Sequence, residues 1–173
     1  ALPISVVAVP LLHFRKSDTD ELKLSKVNIA AFSKEVYLCF KQQARIKGIN
    51  FDFICDSEEI LIYIDKEKIE IALFNLLSNA IKFTPSGGDV KFILVEDDSV
   101  VKINIEDSGI GISESIGKTI FEKFYQVTRK DNKSGFGIGL YLVKTFVENH
   151  FGEISYQSEE GKGTNFTLAL LKG

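Results

Sequence analysis

Apolar residues recur at steps of three and four near the start of the chain. Ile29, Phe32, Val36, Phe40 and Ala44 share one face of a helix that runs from an Asn28 cap to about Lys47, with Gly48 as its stop. The period then changes to two. Phe51, Phe53 and Cys55 alternate with polar residues, and Ile60, Ile62 and Ile64 do the same, predicting two short strands that turn at 57–59. Asp65 is placed to cap a second helix over about 66–83, whose apolar face carries Ile69, Leu73, Leu76, Leu77 and Ala80. Breakers gather at 84–88, and alternation over 90–95 and 100–106 predicts a hairpin. From Asp107 to about Gly139 neither period holds, apart from a short helix expected near 115–121. A third helix follows over about 138–151, then strands at 153–158 and 164–171. Residues 1–26 read as a leader. Pro3 and Pro10 forbid a continuous helix through the first ten, while Leu11, Leu12 and Phe14 suit the end of a helix that began upstream.

Strands that arrive in adjacent pairs, rather than singly between helices, argue against a doubly wound α/β fold. They predict an α+β fold: a two-layer sandwich with a mixed, mainly antiparallel sheet covered on one face by helices, formed by residues 27–173. A loop longer than ~15 residues inside such a domain is usually functional, for instance a lid.

Composition removes several alternatives. At 173 residues and 45% hydrophobic, the chain can bury a core without staples, and it is not a disordered tail. Lys and Arg total 21 against 24 Asp and Glu, a formal charge of −3, which argues against a nucleic-acid partner. Cys39 and Cys55 form no CxxC pair, and His13 and His150 lie far apart, so neither a disulfide framework nor a zinc site is expected. No apolar run reaches the ~18 residues of a membrane span, and no membrane contact is expected of this chain.

Four clusters are candidates for chemistry. Asn75, Asn79 and Lys82 stand at i, i+4 and i+7 of the second helix and form one polar row. Two amide oxygens and an ammonium suit a hydrated Mg²⁺ and a polyphosphate; the alternative is a solvated helix face. Asp107 opens D-S-G-I-G-I directly after a strand, where Gly109 and Gly111 let the backbone approach a ligand; the alternative is a strand-ending turn. Gly135, Gly137 and Gly139 in G-F-G-I-G-L open the third helix, a fit for an anion at a helix N-terminus, although the spacing is neither the dinucleotide fingerprint nor a P-loop. Gly161, Gly163 and Thr164 form G-K-G-T before the last strand, which by itself reads as a tight hairpin turn. Phe121 and Phe124 in the long loop read as core or lid anchors rather than cofactor stackers, and Arg129, Lys130 and Lys133 as a basic patch that is either simply solvated or placed to screen phosphate charge.

In this order the clusters resemble the boxes of the catalytic, ATP-binding domain of sensor histidine kinases, within the gyrase–chaperone–histidine-kinase–mismatch-repair ATPase superfamily. The run from Asn75 through Asn79 to Lys82 is similar to the N box, and Asp107 to Ile112 to the first glycine box. Phe121-Glu-Lys-Phe124 is similar to the F box, Gly135 to Leu140 to the second glycine box, and Gly161 to Phe166 to the last. The resemblance covers about residues 21–173. Residues 11–16 also resemble the end of the dimerisation helix of hybrid two-component sensors, whereas 1–10 match nothing in the pattern.

The resemblance implies a Bergerat-type ATP-binding fold with a long ATP lid. It implies ATP and Mg²⁺ as ligands. Asp107 would meet the adenine amino group, Asn79 would coordinate Mg²⁺, and Asn75 and Lys82 would contact Mg²⁺ or phosphate. Gly109, Gly111, Phe124, Gly135, Gly137, Gly139, Leu140 and Thr164 would line the nucleotide. Gyrase and chaperone branches carry a water-activating Glu where this chain has Asn75. An amide cannot act as a general base, so the implied acceptor is a histidine rather than water. Neither His13 nor His150 matches the H-E-x-x-x-P pattern of such an acceptor. The expectation is therefore a kinase domain that phosphorylates a histidine on a separate dimerisation and phosphoacceptor domain, upstream of a response regulator, as a cytoplasmic part of a membrane-anchored sensor. The competing readings are a serine kinase or ATPase of the same superfamily, which Asn75 argues against, and a non-catalytic interaction module, whose mark would be lost glycine boxes.

Overall fold

The computed structural model describes residues 21–117, 119–122 and 139–173. Among these the elements run β1 (Ser25–Asn28), α1 (Ile29–Lys47), β2 (Asn50–Cys55), β3 (Leu61–Ile64), α2 (Lys66–Phe83), β4 (Asp89–Glu96), β5 (Val100–Asp107), α3 (Gly139–Asn149), β6 (Glu153–Glu159) and β7 (Gly163–Leu171). A sheet in the order β2-β4-β5-β7-β6 is antiparallel except for the β2–β4 pair, and β1 pairs with β3 in a separate two-stranded sheet.

The helices begin and end where capping chemistry requires. Asn28 accepts from the N–H groups of Ala30 and Ala31 at 3.2 and 3.3 Å, Gly48 closes α1 with φ 78°, and Asp65 accepts from Lys68 N–H at 3.3 Å. Alternation along the strands sends Val90, Phe92 and Leu94, Val101, Ile103 and Ile105, and Phe166, Leu168 and Leu170 to one face, none more than 4% exposed. Each such side chain contributes roughly 1.5–3 kcal/mol by leaving water. Register aligns them in rows, Phe92 beside Ile105 beside Phe166 beside Tyr156, and the apolar stripes of the helices cover them. Lys91, Lys102, Glu153 and Gln157 lie on the opposite, exposed face. The two-layer α+β sandwich expected from the pattern is the fold observed.

Two local expectations fail. Strands 51–55 and 60–64 do not form a hairpin: β2 pairs in parallel with β4, and β3 turns away to β1. Alternation identifies a strand but not its partner. Here ring packing favours β4, since Phe53 sits edge-on to Phe92 at 5.3 Å. β1 itself, only four residues long, overlaps the end of the expected leader and carries no periodic signal. The short helix near 115–121 is instead a series of turns, with Ile116, Gly117, Thr119 and Glu122 each donating to the carbonyl three residues back. The Thr119 hydroxyl takes the Ile116 carbonyl as well, competing with a helical ladder.

Candidate functional site

α2 crosses the inner face of β5, and its C-terminal end is held by its own cap residue and two other segments. The four last carbonyls of a helix have no partner within it. In α2 the Ala80 carbonyl accepts from the Thr84 hydroxyl at 2.7 Å. Those of Ile81 and Lys82 accept from Lys47 Nζ, both at 2.7 Å, and that of Phe83 accepts from Ile110 N–H at 3.3 Å. The last bond ties the helix to the loop that begins at Asp107. The same loop is clamped from the other side, where Gly161 N–H donates to the Ile110 carbonyl at 2.7 Å. Glycines are needed at this crossing. A Cβ on Gly109 would meet the Phe83 carbonyl, and one on Gly111, at φ 72°, would collide with the Glu159 carbonyl.

The result is a narrow pocket lined by Leu76, Asn79, Ala80, Phe83, Asp107, Gly111, Thr164 and Phe166, with about 10 Å³ of room for a water-sized sphere at its floor. Asp107 is half-buried and accepts from Gly109 N–H at 2.9 Å. Burial pushes its carboxyl up to about 6 from 3.8, against the downward pull of the Gly109 and Thr164 N–H groups. Thr164, 6% exposed, faces Asp107 across the β5–β7 pair.

The polar row on α2 is not a solvated face. Asn75 and Asn79 are 1% and 4% exposed. Asn75 Nδ2 donates to the Ile71 carbonyl at 2.8 Å, but its Oδ1 has no partner, and neither amide atom of Asn79 has one. Buried amides of this kind are costly unless something completes them. Lys82 is half-buried, with Nζ 5.5 Å from the Phe83 ring centre. Among the described residues no three His, Cys, Asp or Glu side chains gather into a metal cluster, so a cation here would rest on amide oxygens and its ligand's own atoms.

Of the other sequence candidates, Gly139 and Leu140 are buried at the start of α3, which packs against α2. Phe124, Gly135, Gly137, the basic residues at 129, 130 and 133, and His13 lie outside the described residues. Phe121 packs edge-on to Tyr156 at 6.0 Å and to Phe166 at 6.4 Å, as an anchor would. G-K-G-T is a hairpin turn and a wall of the pocket at once. Sequence reasoning missed Lys47, Thr84 and Ser158. Lys47 bonds carbonyls 34 and 35 residues away and Ser158 meets its partners only through the hairpin and the loop after β5, while Thr84 bonds the Ala80 carbonyl one helical turn back, a contact that a lone Thr in a breaker cluster does not announce.

The family described as histidine kinase-, DNA gyrase B- and HSP90-like ATPases matches residues 64–173, from the end of β3 through the pocket to the C-terminal residue. The chain belongs to this ATPase family. Within the family its similar relatives are histidine kinases. Histidine kinase P4 of Formosa agariphila is 35% identical over 170 residues, 94% of this chain but 12% of the relative. The catalytic domain of histidine kinase ThkA superposes with a TM-score of 0.78 at 28% identity, covering 87% of this chain and 98% of that domain. Full-length ShkA, solved in complex with AMPPNP, gives 0.80 at 28% identity over 92% of this chain and 34% of its own. The chain thus spans a small part of the long curated relative it matches and almost the whole of the ThkA catalytic domain. No described helix of this ATPase-family domain is long and apolar enough to cross a membrane.

His150 has a structural place in it. Its Nε2 accepts from Asp65 N–H at 2.9 Å, which puts the proton on Nδ1, 2.6 Å from the Phe146 carbonyl. Both nitrogens are occupied in joining the end of α3 to the cap of α2. Burial pulls its pKa below 6.5, while the Phe146 carbonyl and Asp65 oppose the fall and Lys68 adds to it. An unfolded His150 binds its proton near 6.5 and the folded one only at lower pH. Its contribution to stability is therefore complete above about pH 6.5 and is lost as the pH falls through the folded value. Replacing it by Gln, which keeps an acceptor without a titration, is expected to flatten the acid side of a urea-melt stability profile relative to wild type.

Proposed function

We propose that the domain binds Mg-ATP and transfers the γ-phosphoryl group to a histidine of a separate dimerisation and phosphoacceptor domain, feeding a response regulator. The observation that carries this reading is Asn79, whose buried amide lines the pocket and lacks a partner on either atom. Mg²⁺ prefers oxygen ligands, and the orphaned Oδ1 atoms of Asn79 and Asn75 would hold it where it offsets phosphate charge. Asp107, which lines the same pocket, accepts a hydrogen bond from the exocyclic amino group of adenine. Gly109, Gly111 and Thr164 shape the surroundings of that carboxylate. The N–H groups of Gly139 and Leu140, at the start of α3, face the phosphates together with Lys82, and Phe124, Gly135 and Gly137 are assigned to the same cradle. Asn75 cannot take a proton from water, which keeps the phosphoryl group for an imidazole acceptor.

Calorimetric titration with ADP and AMPPNP, with and without Mg²⁺, tests the reading. Mg²⁺ is expected to tighten binding at least tenfold in the wild type, and Asn79→Ala to remove that gain. Because Asn79→Ala also deletes two unsatisfied buried atoms, its melting temperature is expected not to fall. Supplied with an isolated acceptor helix, the wild type yields an acid-labile phosphohistidine. Absence of nucleotide binding by the wild type would instead favour an interaction module.

A further inference from the structure

Ser158 lies on β6 directly opposite Thr164 of β7. Its hydroxyl donates to the Gly163 carbonyl at 2.9 Å, receives Ile112 N–H at 2.7 Å and stands 2.8 Å from Thr164 Oγ1. A serine hydroxyl has one proton and two lone pairs. A carbonyl can only accept, so the Ser158 proton goes to Gly163. A backbone N–H can only donate, so it takes one lone pair. The third contact must then carry the proton of Thr164 to Ser158. Thr164 Oγ1 is left with lone pairs alone to present to the pocket it lines beside Asp107.

We infer that Ser158 is a positioning residue that sets base specificity: by holding the Thr164 proton it leaves Asp107 and Thr164 presenting acceptors alone, a pair matched to a purine bearing a 6-amino group and mismatched to one bearing a 6-oxo group. The inference rests on the nucleotide-binding reading above. Asp107 supplies one acceptor and Thr164 the second, and an exocyclic amino group has two protons to give. A 6-oxo oxygen meets two acceptors and no donor, the arrangement that discriminates most strongly in a closed polar site. Without Ser158, the Thr164 hydroxyl is free to rotate and donate to such an oxygen.

The experiment compares Kd for ADP and for inosine diphosphate on the whole chain. Ser158→Ala is expected to reduce the preference for ADP by about tenfold, the worth of one hydrogen bond made or mismatched. Ser158→Thr, which keeps a hydroxyl, restores the preference. In a Thr164→Val background, with no hydroxyl left to orient, Ser158→Ala no longer changes the ratio. Should Ser158→Ala fail to fold, Ser158→Cys fills the same place with a poor acceptor for the Thr164 proton and is expected to shift the ratio the same way. Equal weakening of both nucleotides, at an unchanged ratio, would mean that Ser158 only braces the turn and would overturn the inference while leaving nucleotide binding intact. A wild type that binds neither nucleotide would overturn the underlying reading and this inference with it.

Discussion

Asp107→Asn is expected to weaken nucleotide binding severely and, near neutral pH, to make the unliganded domain more stable. Burial moves the carboxyl from 3.8 to about 6, so at neutral pH the folded protein holds an ionised group that its surroundings disfavour. A displacement of that size corresponds to roughly 3 kcal/mol, reduced to about 2 for a side chain that keeps some water. The sign follows from proton counts. Between about pH 4 and pH 6 the folded chain retains a proton that the unfolded chain has lost, so this group's contribution falls as the pH rises, and the full penalty stands above about 6. Asn carries no such penalty, and its Oδ1 still accepts from Gly109 N–H. Urea melts of the two proteins should converge near pH 4 and separate by ~2 kcal/mol at pH 7.5, with the variant more stable. His150, which acts in the opposite direction, is common to both and cancels. Binding moves the other way. The adenine amino group needs an ionised acceptor, so wild-type affinity is expected to weaken about tenfold per pH unit below 6, while the variant binds weakly throughout. Superimposed melts at neutral pH would remove the burial argument.

That penalty shows why the site is only half visible in the sequence. Helix α2 is legible from its Asp65 cap to its last residue because the signal is local and periodic. Its polar row is legible too, but the sequence leaves Asn75 and Asn79 divided between a solvated face and a ligand site. Burial decides between these, and it comes from α2 lying between sheet and neighbouring helices. The β4–β5 and β6–β7 hairpins follow from alternation and a nearby turn. The β2–β4 pairing does not, because its partners are separated by β3 and α2, and neither strand's own pattern names the other. The same limit hides Lys47, which reaches from α1 to carbonyls 34 and 35 residues away. Motif spacing finds Asp107, Gly111 and Thr164 one by one. Only the crossing of α2, the loop after β5 and the last hairpin makes one pocket of them.

Two glycines two residues apart separate a turn from a site. Gly161 and Gly163 both have left-handed φ, 84° and 124°, so a side chain strains the backbone at either. Around Gly161 nothing lies within 4 Å of a Cβ, whereas on Gly163 it would collide with the Asp107 carbonyl oxygen. That oxygen belongs to the end of β5 and cannot swing aside as a side chain would. Alanine at 163 must therefore push the hairpin off Asp107, pulling Thr164 away from the carboxylate and breaking the Ser158–Gly163 bond. Gly161→Ala is expected to cost about 1 kcal/mol in urea melts, with ADP affinity unchanged within about twofold. Gly163→Ala is expected to cost more than ~3 kcal/mol and to weaken ADP at least tenfold in whatever fraction still folds. Equal losses at the two positions would mean that φ alone matters and that the hairpin is only a connection. Unequal losses, with affinity following Gly163 alone, would mean that the carbonyl of Asp107 and the turn after β6 are fitted to each other, and that this contact keeps the desolvated carboxylate in the pocket.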